Sequence, residues 1–120
     1  MHPDNPLYGF DFISSDEDGD LYKKDNKFYY LHVSYTNDLR EGEAKMIAVN
    51  GGNVVAVLNY IHDQLNGECI RYYDDHVLKC TLKNGILDGP FSEYDLDGNL
   101  LRYGEFRDGE RIEERFSPAT

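Results

Sequence analysis

Among the residues that could carry chemistry, the acidic run Asp16-Glu17-Asp18-Gly19-Asp20 stands out first. Closely spaced carboxylates with a glycine could wrap a calcium ion. This run lacks the alternation of ligands and the glutamate at the twelfth position that such a loop needs, so a solvated acidic turn is the expected reading. Asp95-x-Asp97-Gly98 is likewise expected to be a turn whose aspartates bond to their own backbone. Cys69 and Cys80 are the only cysteines. They stand at mirror positions about Asp74-Asp75 and could face one another across a hairpin; free thiols are expected, a disulfide being the alternative in an oxidising compartment. His2, His32, His62 and His76 lie far apart, outside any metal-ligand or triad spacing, and are expected at the surface. The sequence contains no nucleophile elbow, phosphate-cradling glycine loop or HExxH pattern. Neither catalysis nor a cofactor is expected.

What is left is binding. The chain has 12 basic against 23 acidic residues, a net charge of −11. That charge repels nucleic-acid phosphates and anionic lipid headgroups and favours a basic protein as partner. The 10 tyrosines include the adjacent pairs Tyr29-Tyr30 and Tyr72-Tyr73. In a strand, one member of each pair faces the core and the other faces out. Exposed tyrosine beside carboxylate suits a protein-binding surface, because tyrosine supplies contact area and acids steer a basic partner. The residues expected to meet a partner are Asp16, Glu17, Asp18, Asp20, Tyr72, Tyr73, Asp74 and Asp75.

The elements that must position these residues follow from a repeated eight-residue phrase. It occurs as YTNDLREG from Tyr35, YIHDQLNG from Tyr60, LKNGILDG from Leu82 and FRDGERIE from Phe106. A period in this range marks stacked supersecondary units that present a surface. Gly42, Gly67 and Gly89 close the first three phrases and are expected to supply positive φ or a close backbone approach. Gly85, Gly98 and Gly109 are expected in turns. Asp97-Gly98 and Gly51-Gly52 suit type I′ hairpins, with Asp25-Asn26 and Asp74-Asp75 as weaker versions. Val54, Ala56, Leu58 and Tyr60 alternate, and Val77, Lys79 and Thr81 oppose Leu78, Cys80 and Leu82, as strands with one packed and one wet face do. Val54 to Leu65 also fits an amphipathic helix by its Val54, Val57, Leu58, Ile61 spacing, but its β-branched content argues for strand.

The expected fold is all-β: a single-layer array of about four antiparallel hairpins over residues 21–116, a capping strand in an acidic segment 1–20, and a tail at 117–120. Phe12 to Gly19 matches the opener-to-glycine spacing as a degenerate fifth phrase. No apolar run reaches the ~20 residues of a membrane-spanning helix. The N-terminus, MHPDNPLYGFDF, lacks the basic and apolar regions of a secretory signal, so a cytoplasmic protein is expected.

Leu87 to Glu110 resembles a MORN repeat of the variant type common in bacteria, through Gly89, Phe91, Tyr94, Asp97-Gly98, Phe106 and Asp108-Gly109. Leu65 to Gly89 fits less closely, with Gly67, Cys69, Tyr72, Asp74-Asp75, Leu82 and Asn84-Gly85. The units before it are degenerate, with Ala44 and Ile47, then Leu21 and Lys24, at the aromatic places. Proteins similar to this pattern include bacterial antitoxin and immunity proteins, scaffolding proteins and the non-catalytic region of a histone lysine methyltransferase. The phosphoinositide binding proposed for the family has no basic cluster here to support it. The resemblance implies an inhibitor of a basic toxin or nuclease; the alternative is a scaffolding module that binds proteins or forms a homodimer through its edge strand.

Overall fold

A computed structural model describes residues 2–17 and 19–116; Asp18 and the expected tail at 117–120 lie outside the described residues. The strands are β1 (Asp11–Asp16), β2 (Gly19–Lys24), β3 (Lys27–Thr36), β4 (Leu39–Ala48), β5 (Val54–Ile61), β6 (Gln64–Leu65), β7 (Gly67–Tyr72), β8 (His76–Lys83), β9 (Ile86–Leu87), β10 (Gly89–Asp95), β11 (Leu100–Arg107) and β12 (Glu110–Phe116). They form one open antiparallel sheet, ordered β1-β2-β3-β4-β5-β7-β8-β10-β11-β12. The two-residue strands β6 and β9 fold back on β5 and β8. The array expected from the period is therefore present, and Val54 to Ile61 is strand.

The repeated phrase is a hairpin tip. Its third and fourth residues hold the turn: Asn37-Asp38, His62-Asp63, Asn84-Gly85 and Asp108-Gly109 all have φ between 48° and 85°. Two successive left-handed residues give the turn whose twist matches that of the flanking strands. The fourth residue's N–H then donates to the carbonyl of the sixth residue of the preceding phrase: Asp63 to Arg40 at 2.9 Å, Gly85 to Leu65 and Gly109 to Leu87 at 2.8 Å. Each unit is thus bonded to its neighbour at the tip as well as along the ladder.

Three turn readings differ. Asp97 is not left-handed; only Gly98 has positive φ, because Asp95 Oδ1 accepts from the Asp97 and Asn99 N–H groups and closes a longer loop. Asp74-Asp75 lacks positive φ altogether. Phe12 to Gly19 is not a fifth phrase: β1 runs on through Asp16, so the turn falls later than the third and fourth places.

A meander puts successive turns on opposite ends of the sheet. One end, the phrase rim, carries the β1–β2 turn and the four phrase turns. The far rim carries Asp25-Asn26, residues 49–53, residues 73–75 and residues 96–99.

One face is the core. Leu31, Met46, Ala56 and Leu58, then Cys69, Leu78, Cys80, Leu82, Phe91 and Phe106 run across it from strand to strand. The other parity leaves Lys79, Tyr72 and Tyr103 outside. A single sheet cannot cover its own core face, and here residues 2–10 do so. His2 meets the Phe106 ring edge-on at 4.9 Å, Asn5 Nδ2 donates to the Gly85 carbonyl at 3.3 Å, and Phe10 meets Tyr29 edge-on at 5.1 Å. Only Asp11–Asp16 forms the terminal strand. Pro3 and Pro6 lack the N–H that a ladder requires, which leaves the preceding residues free to cross the sheet.

Candidate binding site

The residues expected to bind a partner divide among three places. Asp20 is not at the surface. Its side chain is 1% exposed, on the core face of β2 opposite Leu31. It accepts from Ser15 Oγ at 2.5 Å, from Tyr35 Oη at 2.8 Å and from Arg40 Nε at 2.7 Å. Burial pushes its carboxyl up, but the bonds from Ser15, Arg40 and Tyr35 outweigh that and hold it below the usual range. The acidic run is therefore solvated only in part, because its last member is structural.

Asp16 and Glu17 are exposed at the phrase rim. Tyr72, Tyr73, Asp74 and Asp75 stand on the far rim, a strand length along and four strands across the sheet, or roughly 25–30 Å away. No single patch includes both groups. Tyr73 turns inward: its ring stacks on His76 at 4.3 Å and 9°, and burial pushes its hydroxyl up. His76 is thus partly buried, with Nδ1 at 2.6 Å from Asp75 and Nε2 at 3.3 Å from Glu93.

The six repeat glycines, Gly42, Gly67, Gly85, Gly89, Gly98 and Gly109, all have positive φ. Cys69 and Cys80 are direct cross-strand partners, and both are buried free thiols. Burial pushes the Cys69 thiol up to about 11 and raises Cys80 further in the same direction.

Sequence reasoning passed over three arginines on the core face. Arg40 pairs with Asp20 and Asp63; Arg102 pairs with Asp4, Glu93 and Glu114. Arg71 pairs with no carboxylate among the described residues. The signal was available for Arg71: it shares the parity of Cys69 on β7, so the alternation that buries one buries the other.

Two features are suited to binding. Four of the five phrase-rim turns carry an exposed carboxylate, at Glu17, Asp38, Asp63 and Asp108. Alternate strands put neighbouring turns about 10 Å apart. At the far rim, a cavity of about 520 Å³ lies between the tips of three successive hairpins, lined in part by Lys24, Lys27, Phe28, Asn53, Arg71 and Tyr73. No protein-family model matches the chain, and no curated protein matches it.

Proposed function

We propose that the chain is a non-catalytic, MORN-like protein-binding module of the cytosol, an antitoxin or immunity-type inhibitor whose acidic phrase rim receives a basic protein such as a toxin or nuclease. The observation that carries this reading is the row of exposed carboxylates at Glu17, Asp38, Asp63 and Asp108, of which Asp63 also pairs with Arg40, on a rim whose last four tips are joined by hydrogen bonds. A rigid row of like charges steers a complementary surface and fixes its register. The resemblance to MORN-repeat antitoxins supports the same reading, as does the net charge of −11. Capture of partners from the source cell, identified by mass spectrometry, tests it. A basic toxin is expected, with association that slows as salt rises. Changing Glu17→Gln, Asp38→Asn and Asp108→Asn together should weaken binding about tenfold or more. A neutral or acidic partner, or binding indifferent to salt, refutes the reading.

The scaffolding alternative rests on the sheet's two edges. Among the described residues β1 and β12 close the strand order, each paired on one side, and β1 is exposed along its whole length. Strand addition at such an edge joins two chains. Concentration-dependent size in solution favours this alternative, and a strictly monomeric chain excludes dimerisation.

A further inference from the structure

Arg71 differs from the other two core-face arginines. Its residue is 8% exposed, and among the described residues its hydrogen bonds run from Nη1 to the backbone carbonyls of Val55 at 2.9 Å and Tyr72 at 2.7 Å. Nε and Nη2 have no acceptor among the described residues. No buried side-chain nitrogen or oxygen among the described residues lacks a partner, so both atoms keep accessible surface. These two N–H groups form one edge of the guanidinium, the parallel fork that grips a carboxylate through two bonds.

The fork is held in a fixed plane. The guanidinium carbon lies 4.6 Å from the Tyr73 ring centroid and 5.3 Å from that of Phe10. Tyr73 in turn stacks on His76, and Phe10 meets Tyr29. The two Nη1 bonds and the two rings, each braced by a further ring, therefore fix the orientation before any ligand arrives. Burial presses the Arg71 guanidinium toward its neutral form, and only the weaker fields of Tyr73, Tyr29 and Asp74 oppose this. A carboxylate at the fork would remove that conflict, as Asp20 and Asp63 do for Arg40.

The geometry points to the far-rim cavity as a binding site for a small monocarboxylate with an apolar body, the carboxylate on the Nε–Nη2 edge of Arg71 and the body against Tyr29, Ala48 and Val55. The volume of about 520 Å³ is in the range of small-molecule sites. Charge selects the ligand class. Lys24, Lys27 and Arg71 line the cavity with Asp25 and Asp74, leaving one positive charge for a single negative one. A dianionic phosphate would be under-compensated inside a protein of net charge −11. This site is separate from the phrase rim and does not depend on it.

Titration of the full chain with benzoate, benzamide and phenyl phosphate, read by the Arg71 Nε–H and cavity amide resonances, tests the assignment. Benzoate should give saturable shifts in the millimolar range, benzamide none, and phenyl phosphate weaker ones. Arg71→Lys keeps the charge but loses the fork, and should weaken benzoate about tenfold, the worth of one charge-assisted bond. Lys27→Glu lies at the exposed end of the cavity, takes no part in the contacts that hold the Arg71 guanidinium, and should also weaken benzoate, so it decides the matter where Arg71→Lys unfolds. Absence of saturable benzoate shifts overturns the proposal. So do equal shifts with benzamide, tighter binding of phenyl phosphate, or a benzoate affinity that Lys27→Glu leaves unchanged.

Discussion

Arg40 donates through Nε to Asp20 at 2.7 Å from the sixth place of its phrase, the place that Leu65 and Leu87 hold in the next two. Leu65 and Leu87 are buried; the Arg40 guanidinium instead lies 5.8 Å from the Tyr35 ring and 5.9 Å from Tyr60, the openers on either side. An apolar slot of the repeat has become a charged one, and Asp20 is the partner that makes it tolerable.

Arg40→Leu restores the repeat but strands a buried carboxylate, so it should cost about 3 kcal/mol in urea unfolding. Adding Asp20→Asn removes the stranded charge while Ser15 and Tyr35 keep an acceptor, and should recover most of that loss in a double-mutant cycle. Additive losses would show that the two residues are not coupled.

The same pair sets an acid limb. The folded Asp20 carboxyl lies below its unfolded value of about 4, so its stabilisation is complete above that value and is lost as pH falls through the folded one. Stability measured from neutral pH downward should fall more steeply in the native chain than in Asp20→Asn.

Gly104 and Gly42 separate two uses of glycine. A Cβ at Gly104 would stand 2.0 Å from the Glu113 carbonyl oxygen and 2.8 Å from Phe91 Cε1, so Gly104→Ala must part β11 from β12 and should cost about 3 kcal/mol. A Cβ at Gly42 meets nothing within 4 Å, and its φ of 87° alone should make Gly42→Ala cost about 1–2 kcal/mol. Comparable losses in thermal melts would contradict this contrast.

His62 is the least suited residue in a left-handed turn pair, at φ 48°. Its ring pairs with Glu41 only at an exposed surface. His62→Asn should stabilise the fold by about 0.5 kcal/mol, since asparagine tolerates this conformation best among non-glycine residues. A lower urea midpoint would count against it.

Cys69 and Cys80 should resist thiol reagents in the folded chain, because burial both shields them and holds them protonated. Labelling by a disulfide reagent at pH 8 should be slow in buffer and immediate in urea. Fast native labelling would mean that β7 and β8 open readily.

The sequence by itself determined the local order. The period marked the hairpins, the paired Asn, Asp and Gly residues marked most of their turns, and the alternation along β5 and β8 named the buried face, because these depend on φ preferences and on the two-residue repeat of a strand. It could not separate surface acids from structural ones. Asp16 and Glu17 are exposed while Asp20 is buried, and that difference arises from Arg40 and Tyr35, residues brought to it by strand pairing. The crossing of the core face by residues 2–10, the division of Asp16 from Asp74 between opposite rims, and the open fork of Arg71 were likewise decided by tertiary structure alone. Each depends on which distant groups reach a side chain, and burial and partnership are properties of the packed sheet that no local pattern encodes.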